Sequence, residues 1–566
     1  MVNWSLINNL LRTIPYFLRN GSFIYIMMKN VFTVLLILFT FNTSAQILEI
    51  TWQQCYGTPT SDAVFGIAST ENGYIFAIEV RSGDGLTNYH GSYDIWLVNT
   101  DSMGNILWEK CYGGSSAESP YKLIKKSEDE YFIFGYAGST DGDVQSGNHG
   151  YSDLWVVKIN AEGDIIWEKT YGSIGHDNPR DMILTPDGGF VMIARIGIGG
   201  GDVTHFYGIG DCWMAKCDSL GNIEWEKTLG NDGLDNCSSL TINSEGNIMM
   251  IGAAQWHGGL VECFPDGSWG DVWIVELDMQ GNILAQYCYG GSHYELGYMI
   301  IELDDGYAFA AVTYSNDGDV SGLHGPPGGP PDGWGDIWVV RLNEQMEIIW
   351  QKCIGGYDSD HPNYITQTED GGFVITGFTF SNDGDVSSNP SWPGTYAAIW
   401  VVKLDAQGNI EWQKVYGGWG QEYMENPHTV LKKSDYNYVL AATTNFSPSH
   451  DVQCGNFSVN YKAWIFEIAL PDTVNSIAII EPGNGLSIQA VPNPASTWVA
   501  FNFTLPVHVN EAVLQITDVH GRSITSFVIT TKQGQQVWDI RDVQKGIYLY
   551  NLKAGTMSKN GKLIIN

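Results

Sequence analysis

The 566-residue chain is 44% hydrophobic and only 16% charged, with 66 glycines, 13% aromatics and a formal net charge of −35. The apolar share excludes a disordered chain, the length asks for two to four domains, and the acidity repels phosphate backbones, which argues against nucleic acid as a partner. Glycine and aromatic content of this kind suits a turn-rich β protein, and 3.6-residue periodicity is scarce.

Charge is unevenly placed. Residues 1–45 and 485–566 are each net +3, so the stretch between them carries all of the acid excess. That acidity attracts cations; it also keeps an exported protein soluble, which is the simpler reading. Residues 27–46, MMKNVFTVLLILFTFNTSAQ, have the layout of a secretory signal peptide. Lys29 is followed by an apolar run from Val31 to Phe41, and small Thr43 and Ala45 precede a cleavage site before Gln46. The run is too short for a comfortable span, so the mature protein is expected to lack a transmembrane segment. Met27 or Met28 is the expected start within this N-terminal extension, with an uncleaved anchor as the alternative.

From Ile50 onward one phrase recurs seven times: ITWQQCYGT, ILWEKCYGG at Ile106, IIWEKTYGS at Ile165, IEWEKTLGN at Ile223, ILAQYCYGG at Ile283, IIWQKCIGG at Ile348 and IEWQKVYGG at Ile410. Each interval holds the same signals. In residues 360–418 these are a strand, an Asp-Gly turn, a second strand, a long loop, then two strands joined by AQGN. Four antiparallel strands per repeat of this length describe a propeller blade, and a β-solenoid is the less suitable alternative. The first phrase lacks strands before it, and the last unit stops at its third strand, AWIFEIAL. Residues 50–57 are therefore expected to complete the last blade of a seven-bladed β-propeller over residues 46–473. Tryptophans 96, 155, 213, 273, 338, 400 and 464 recur on the third strand. Tryptophans 52, 108, 167, 225, 350 and 412 recur on the fourth, where Ala285 is the exception. Residues at repeat positions are packing.

The nine cysteines fit neither zinc spacing nor a disulfide framework. Cys55, Cys111, Cys288 and Cys353 share a repeat position that also accepts valine, and read as structural. Cys212 and Cys217 fall on opposite faces of one strand and cannot pair, whereas Cys237 and Cys263 could.

Candidate sites lie on the face of the long loops, because a rigid scaffold carries function on its loops. STDGDV at Ser139 and SNDGDV at Ser315 and Ser381 offer Asp141, Asp143, Asp317, Asp319, Asp383 and Asp385 as hard oxygen ligands for calcium, the one cofactor expected. Asp-Gly is equally a good turn. One acid per blade precedes the first strand: Asp62, Glu118, Asp177, Asp235, Glu295, Asp360 and Glu425. These could ring the mouth of the channel or, being repeated, serve blade geometry by bonding nearby backbone N–H groups; Asp94, Asp153, Asp211, Asp271 and Asp336 invite the same structural reading. Trp256, Trp269, Trp334, Trp392 and Trp419 stand outside the repeat pattern. Aromatics beside carboxylates suit stacking on sugar rings, while pinning down long loops is the alternative. Catalytic motifs are lacking: there is no HExxH, phosphate loop or nucleophile set.

After a linker at 474–484, alternating strands over 485–566 read as a small β-sandwich. Four features follow in order: Pro492-Asn493-Pro494, Asp518 to Gly521-Arg522, Lys545-Gly546-Ile547-Tyr548, and the terminal strand Lys562 to Ile565. With them this segment resembles the type A C-terminal sorting domain of the bacterial type IX secretion system. The resemblance implies engagement of that secretion machinery, passage across the outer membrane, and a secreted or surface-attached product. The expected function is a non-enzymatic binding module or adhesin for a glycan or another extracellular partner. A carbohydrate-active hydrolase or lyase using loop-face carboxylates, and a spacer without ligand, are the alternatives.

Overall fold

The structure, a computed structural model, describes residues 48–469 apart from 256–257, 263–268, 329–333, 392–394 and 425, and residues 487–565 apart from 492–497, 506–508, 510, 519–521, 542 and 555–556. The expected signal peptide therefore lies outside the described residues, as do Trp256, Trp392, Pro492, Asn493, Pro494 and Gly521. The chain divides into two compact units, Met1–Leu470 and Pro471–Asn566.

Six antiparallel sheets of four strands follow one another, each ordered as in the sequence. In blade one the order from inner to outer strand is Ala63–Ser69, Gly73–Val80, Asp94–Asp101 and Ile106–Tyr112. Blade seven differs. Its inner strand is broken into Glu422–Tyr423, a 3-10 turn at Pro427–Thr429 and Val430–Ser434, ahead of Asn437–Ser449 and Val452–Ala469. The N-terminal strand Glu49–Tyr56 then pairs antiparallel with Val452–Ala469 and supplies the outer edge. Seven blades and closure by the opposite terminus match the reading of the sequence.

The repeated phrase is explained position by position. Third-strand tryptophans are 0–5% exposed in all seven blades, and replacing a core aromatic of this size with alanine costs about 3–5 kcal/mol. A buried indole N–H needs an acceptor. It finds one on the neighbouring outer strand: Trp155 donates to Glu168, Trp213 to Glu226, Trp273 to Gln286, Trp338 to Gln351, Trp400 to Gln413 and Trp464 to Gln53, at 2.8–3.0 Å. Glutamate or glutamine after the outer tryptophan is thus fixed by the tryptophan next door; only Trp96 lacks the bond. The phrase's tyrosine reaches the next blade. Tyr171 donates to Gly221 O at 2.6 Å, Tyr289 to Met346 O at 2.6 Å and Tyr416 to Leu48 O at 2.7 Å.

The one outer strand without tryptophan has its compensation in that same turn. Five of the six outer tryptophans sit over a glycine of the next blade's last hairpin, Trp412 facing the seam instead: a Cβ on Gly163 would lie 2.9 Å from Trp108, and one on Gly408 3.0 Å from Trp350. These glycines have φ near +80°, as at Gly163 (+77°) and Gly408 (+81°). Opposite Ala285 the corresponding residue is Met346, at φ 61° and 6% exposed. The volume withheld on one blade is returned by the other.

The cysteines depart from expectation. Cys55 pairs with Cys454, 399 residues away, and locks the closing strand; a cross-link over so long a loop restricts the unfolded chain, an effect of about 2–4 kcal/mol. Cys288 is also disulfide-bonded. Cys237 is a buried free thiol with its sulfur 3.5 Å from Ala194 O, which corrects the expected pairing with Cys263, a residue outside those described. Cys212 and Cys217 are free and buried, as strand alternation requires.

The C-terminal unit has a three-stranded and a four-stranded sheet around a core that includes Val499, Phe501, Leu514, Ile516, Leu552 and Leu563. Arg522 folds back on Asp518, with Nε 2.6 Å from Oδ2; Gly546 opens the strand in which Tyr548 is buried, and Lys562 is exposed on the last strand.

The Ala285 and Met346 pair predicts a specific non-additivity. Ala285→Trp alone overpacks the seam and Met346→Gly alone opens it, each destabilising by about 1–3 kcal/mol. The double variant regains most of that loss, read from urea midpoints of all four proteins. Simple additivity would show that the two residues do not share the space.

Candidate binding site

Loops between second and third strands meet the connections between blades, as the bridges Tyr93 to Ala117 and Ser152 to His176 record. They therefore build one face. At each junction the acid at the start of the inner strand accepts the backbone N–H four residues earlier: Asp62 from Thr58, Glu118 from Gly114, Asp177 from Ser173, Asp235 from Asn231, Glu295 from Gly291 and Asp360 from Gly356, at 2.6–2.9 Å. In blade seven the acid is Glu422, bonded to Gly418 N at 3.1 Å. Glu425, the residue expected in that role, lies outside the described residues; the break in the inner strand displaced the alignment by three. All seven carboxylates are 0–2% exposed. They are junction groups, not an open ring of charge at a channel mouth.

A second acid closes over the same backbone. Asp94, Asp153, Asp211, Asp271 and Asp336 are 0–1% exposed. A Cβ on Gly113 would lie 2.8 Å from Glu118 and 2.9 Å from Asp94, and one on Gly230 2.7 Å from both Asp235 and Asp211. Only glycine lets the two carboxyl groups approach this closely. Burial, helped by the neighbouring carboxylate, pushes Asp177 up to about 6 and Asp235, Glu295 and Asp360 up to about 7; burial likewise pushes Glu422 to about 7. Among the described residues only Asp62, of the junction acids, has a cation in ion-pair contact, Lys462 at 3.2 Å, at the position of the second aspartate; at the Glu422 junction that position is Ala398.

The Asp-Gly-Asp loops dock on the same junction. Asp141 accepts Ser115 N at 2.7 Å, Asp317 accepts Ser292 N at 2.8 Å and Asp383 accepts Tyr357 N at 2.7 Å. Asp143, Asp319 and Asp385 accept Gly113 N, Gly290 N and Gly355 N at 3.2–3.4 Å. These six aspartates thus fasten loops, and among the described residues no three His, Cys, Asp or Glu side chains are grouped to hold a metal ion. Three histidines join them: His90, His149 and His324 bond Asp94, Asp153 and Asp336 at 2.7–3.0 Å and face Asp143, Asp202 and Asp385 at 3.6–3.8 Å. The repeated His-Gly-x-x-Asp at His90 and His149 was the available sequence signal.

Exposed aromatics mark this face. Trp269, Trp334 and Trp419 are 67%, 41% and 55% exposed, and Trp419 packs on Phe446 and His450. Sequence reasoning overlooked Tyr151, 72% exposed and stacked on His176, together with exposed Tyr207, Ile209 and Tyr357. Unlike the repeat tryptophans these differ from blade to blade, and that irregularity was their signal.

A cavity of about 240 Å³ lies among the inner strands of blades two to six. Each inner strand of blades one to six has a β-bulge at one place, the third residue after the junction acid: Phe65, Tyr121, Arg180, Ser238, Tyr298 and Asn363. The last five line the cavity. Bulges re-aim side chains, and here they turn one residue per blade towards the axis. One residue further along, Lys122 and His428 Nε2 meet buried Asp181 at 2.6 and 3.2 Å. Burial raises the Asp181 carboxyl, but the lysine and histidine outweigh it and hold it well below the usual range. His428 belongs to the 3-10 turn of blade seven, and Asn426 beside it donates to Tyr121 O at 2.6 Å. The break in blade seven thus brings that turn against blades two and three.

Together these features define an all-β propeller followed by a separate β-rich unit. Residues 489–566 match the family described as the secretion system C-terminal sorting domain, and this tail addresses the protein to the outside of the cell or to the outer-membrane surface. No curated protein matches the chain. Among solved structures, puromycin hydrolase is similar at 10% identity and a TM-score of 0.41, covering 78% of this chain and 58% of that one. YCF48 bound to D1 peptide matches at 8% identity and a TM-score of 0.37, covering 76% and 100%. The Kuenenia stuttgartiensis hydrazine synthase matches at 13% identity and 0.35, covering 62% and 78%.

The buried acids set a pH dependence. Asp360 ionises near its ordinary value of 3.8 when unfolded and at about 7 when folded, so the folded state holds the extra proton between them. Its contribution is therefore full below about pH 4 and is lost as pH rises to about 7. Asp360→Asn removes the ionisable group while its amide oxygen still accepts Gly356 N. Thermal melts across pH 5–8 should show a flatter slope and a higher midpoint at pH 8 than wild type; an unchanged slope would mean the acid titrates normally.

Proposed function

We propose that the protein is an exported binding module whose propeller uses its long-loop face to hold a glycan or another extracellular partner. The observation that carries this reading is the set of exposed rings on that one face: Tyr151, Tyr207, Trp269, Trp334, Tyr357 and Trp419. Single exposed apolar residues are ordinary, but large aromatics gathered on loops fastened by backbone hydrogen bonds form a rigid surface suited to stacking on sugar rings. The loops are held in place by the junction acids, so little ordering entropy opposes binding. The acids are committed to the scaffold, which favours recognition by this face over carboxylate chemistry on it.

Fluorescence titration or a glycan array with the full chain measures this directly. Trp334→Ala and Tyr151→Ala should each weaken a specific hit by about tenfold, near 1.4 kcal/mol, with melting temperature unchanged. Binding unaffected by either substitution would remove the loop face from consideration.

A further inference from the structure

The central cavity is a second place, apart from the loop face, where the propeller gathers polar side chains. Where the propeller needs a residue for its architecture it repeats that residue, as with the junction acids and the third-strand tryptophans. At the bulges it repeats the backbone distortion and changes the side chain: Tyr121, Arg180, Ser238, Tyr298 and Asn363 line one space. A device kept in every one of these blades, presenting four kinds of side chain from five blades, is how a ring fold builds an asymmetric site.

Two of these groups have unmet needs. Arg81 is paired with Glu79 and Arg341 with Asp305, but no carboxylate among the described residues lies within ion-pair distance of Arg180. Asp181, next to it in sequence, is already taken up by Lys122, His428 and the backbone N–H of Leu240. Asn363 is 3% exposed; its amide nitrogen donates to Met424 O at 3.2 Å, while its Oδ1 has no partner among the described residues. A buried carbonyl without a donor carries a free-energy cost that a ligand would relieve, and a half-buried guanidinium without an ion-pair partner can take an anion.

We propose that this cavity binds a small hydroxylated carboxylate, of the sugar-acid or hydroxy-acid class. Arg180 takes the carboxylate through its planar fork, and a ligand hydroxyl donates to Asn363 Oδ1. The Tyr121 and Tyr298 hydroxyls, which both lie near Arg180, complete the polar wall. Arginine supplies the local attraction that a protein of net charge −35 otherwise denies to an anion.

Calorimetry with the full chain tests this using D-glucuronate, D-gluconate and lactate against neutral D-glucose and against acetate, which has no hydroxyl. At least one hydroxylated acid should bind about tenfold more tightly than both D-glucose and acetate. Arg180→Gln should weaken it by about ten- to a hundredfold, Arg180→Lys by less, because charge survives but the fork does not. Arg180 makes no ion pair among the described residues, so the melting temperature of ligand-free Arg180→Gln should stay at the wild-type value. The site is overturned if no hydroxylated acid binds, if glucose or acetate binds equally well, or if Arg180→Gln keeps full affinity. A lower melting temperature with unchanged affinity would make Arg180 structural and overturn it too. Trp334→Ala, which tests the loop face, should leave binding of the acid unaltered, so the two sites fail separately.

Discussion

Five of the seven blade junctions are built on two buried carboxyl groups that close over one glycine. At the end of each outer strand the chain must turn inward to begin the next blade, and the N–H groups of that turn would otherwise be buried without acceptors. The junction acid takes one, an aspartate of the following loop takes another, and at Gly113, Gly230, Gly290 and Gly355 a methyl group would collide with both carboxylates. Everything else in the ring is arranged around that turn. The tyrosine just before it reaches the next blade's hairpin, and the outer tryptophan covers the glycine of the same hairpin.

This arrangement has an electrostatic cost. Carboxyl groups buried in pairs resist ionisation, which is why several of them titrate near neutrality instead of near 4. The same groups stiffen the loop face, since each Asp-Gly-Asp loop is fastened by hydrogen bonds to backbone. Rigidity at the junction and variety at the loop tips are therefore two results of one construction.

Regularity in this chain marks architecture and its breaks mark places of interest. Ala285 breaks the tryptophan series and Met346 restores the volume. Blade seven breaks the inner strand, and its 3-10 turn packs against Tyr121 and Asp181. Ala398 and Lys462 break the series of second aspartates, and Lys462, at the seam where the two ends of the propeller meet, gives Asp62 an ion pair that no other junction acid has among the described residues. The bulges keep their place while the residues on them change.

Sequence alone determined the number of blades, the closing strand, the structural tryptophans and the export tail, because each of these is written in a local pattern or a short ordered motif. The recurring acids were legible as a set, although the broken strand hid Glu422 behind Glu425. Tertiary structure alone decided which groups meet. Cys55 and Cys454 come together across 399 residues, and Arg180 and Asn363 reach one cavity from different blades. Bulges and their direction depend on how inner strands pack around a common axis. No periodicity within a single strand encodes that convergence, since it arises only when the ring is closed.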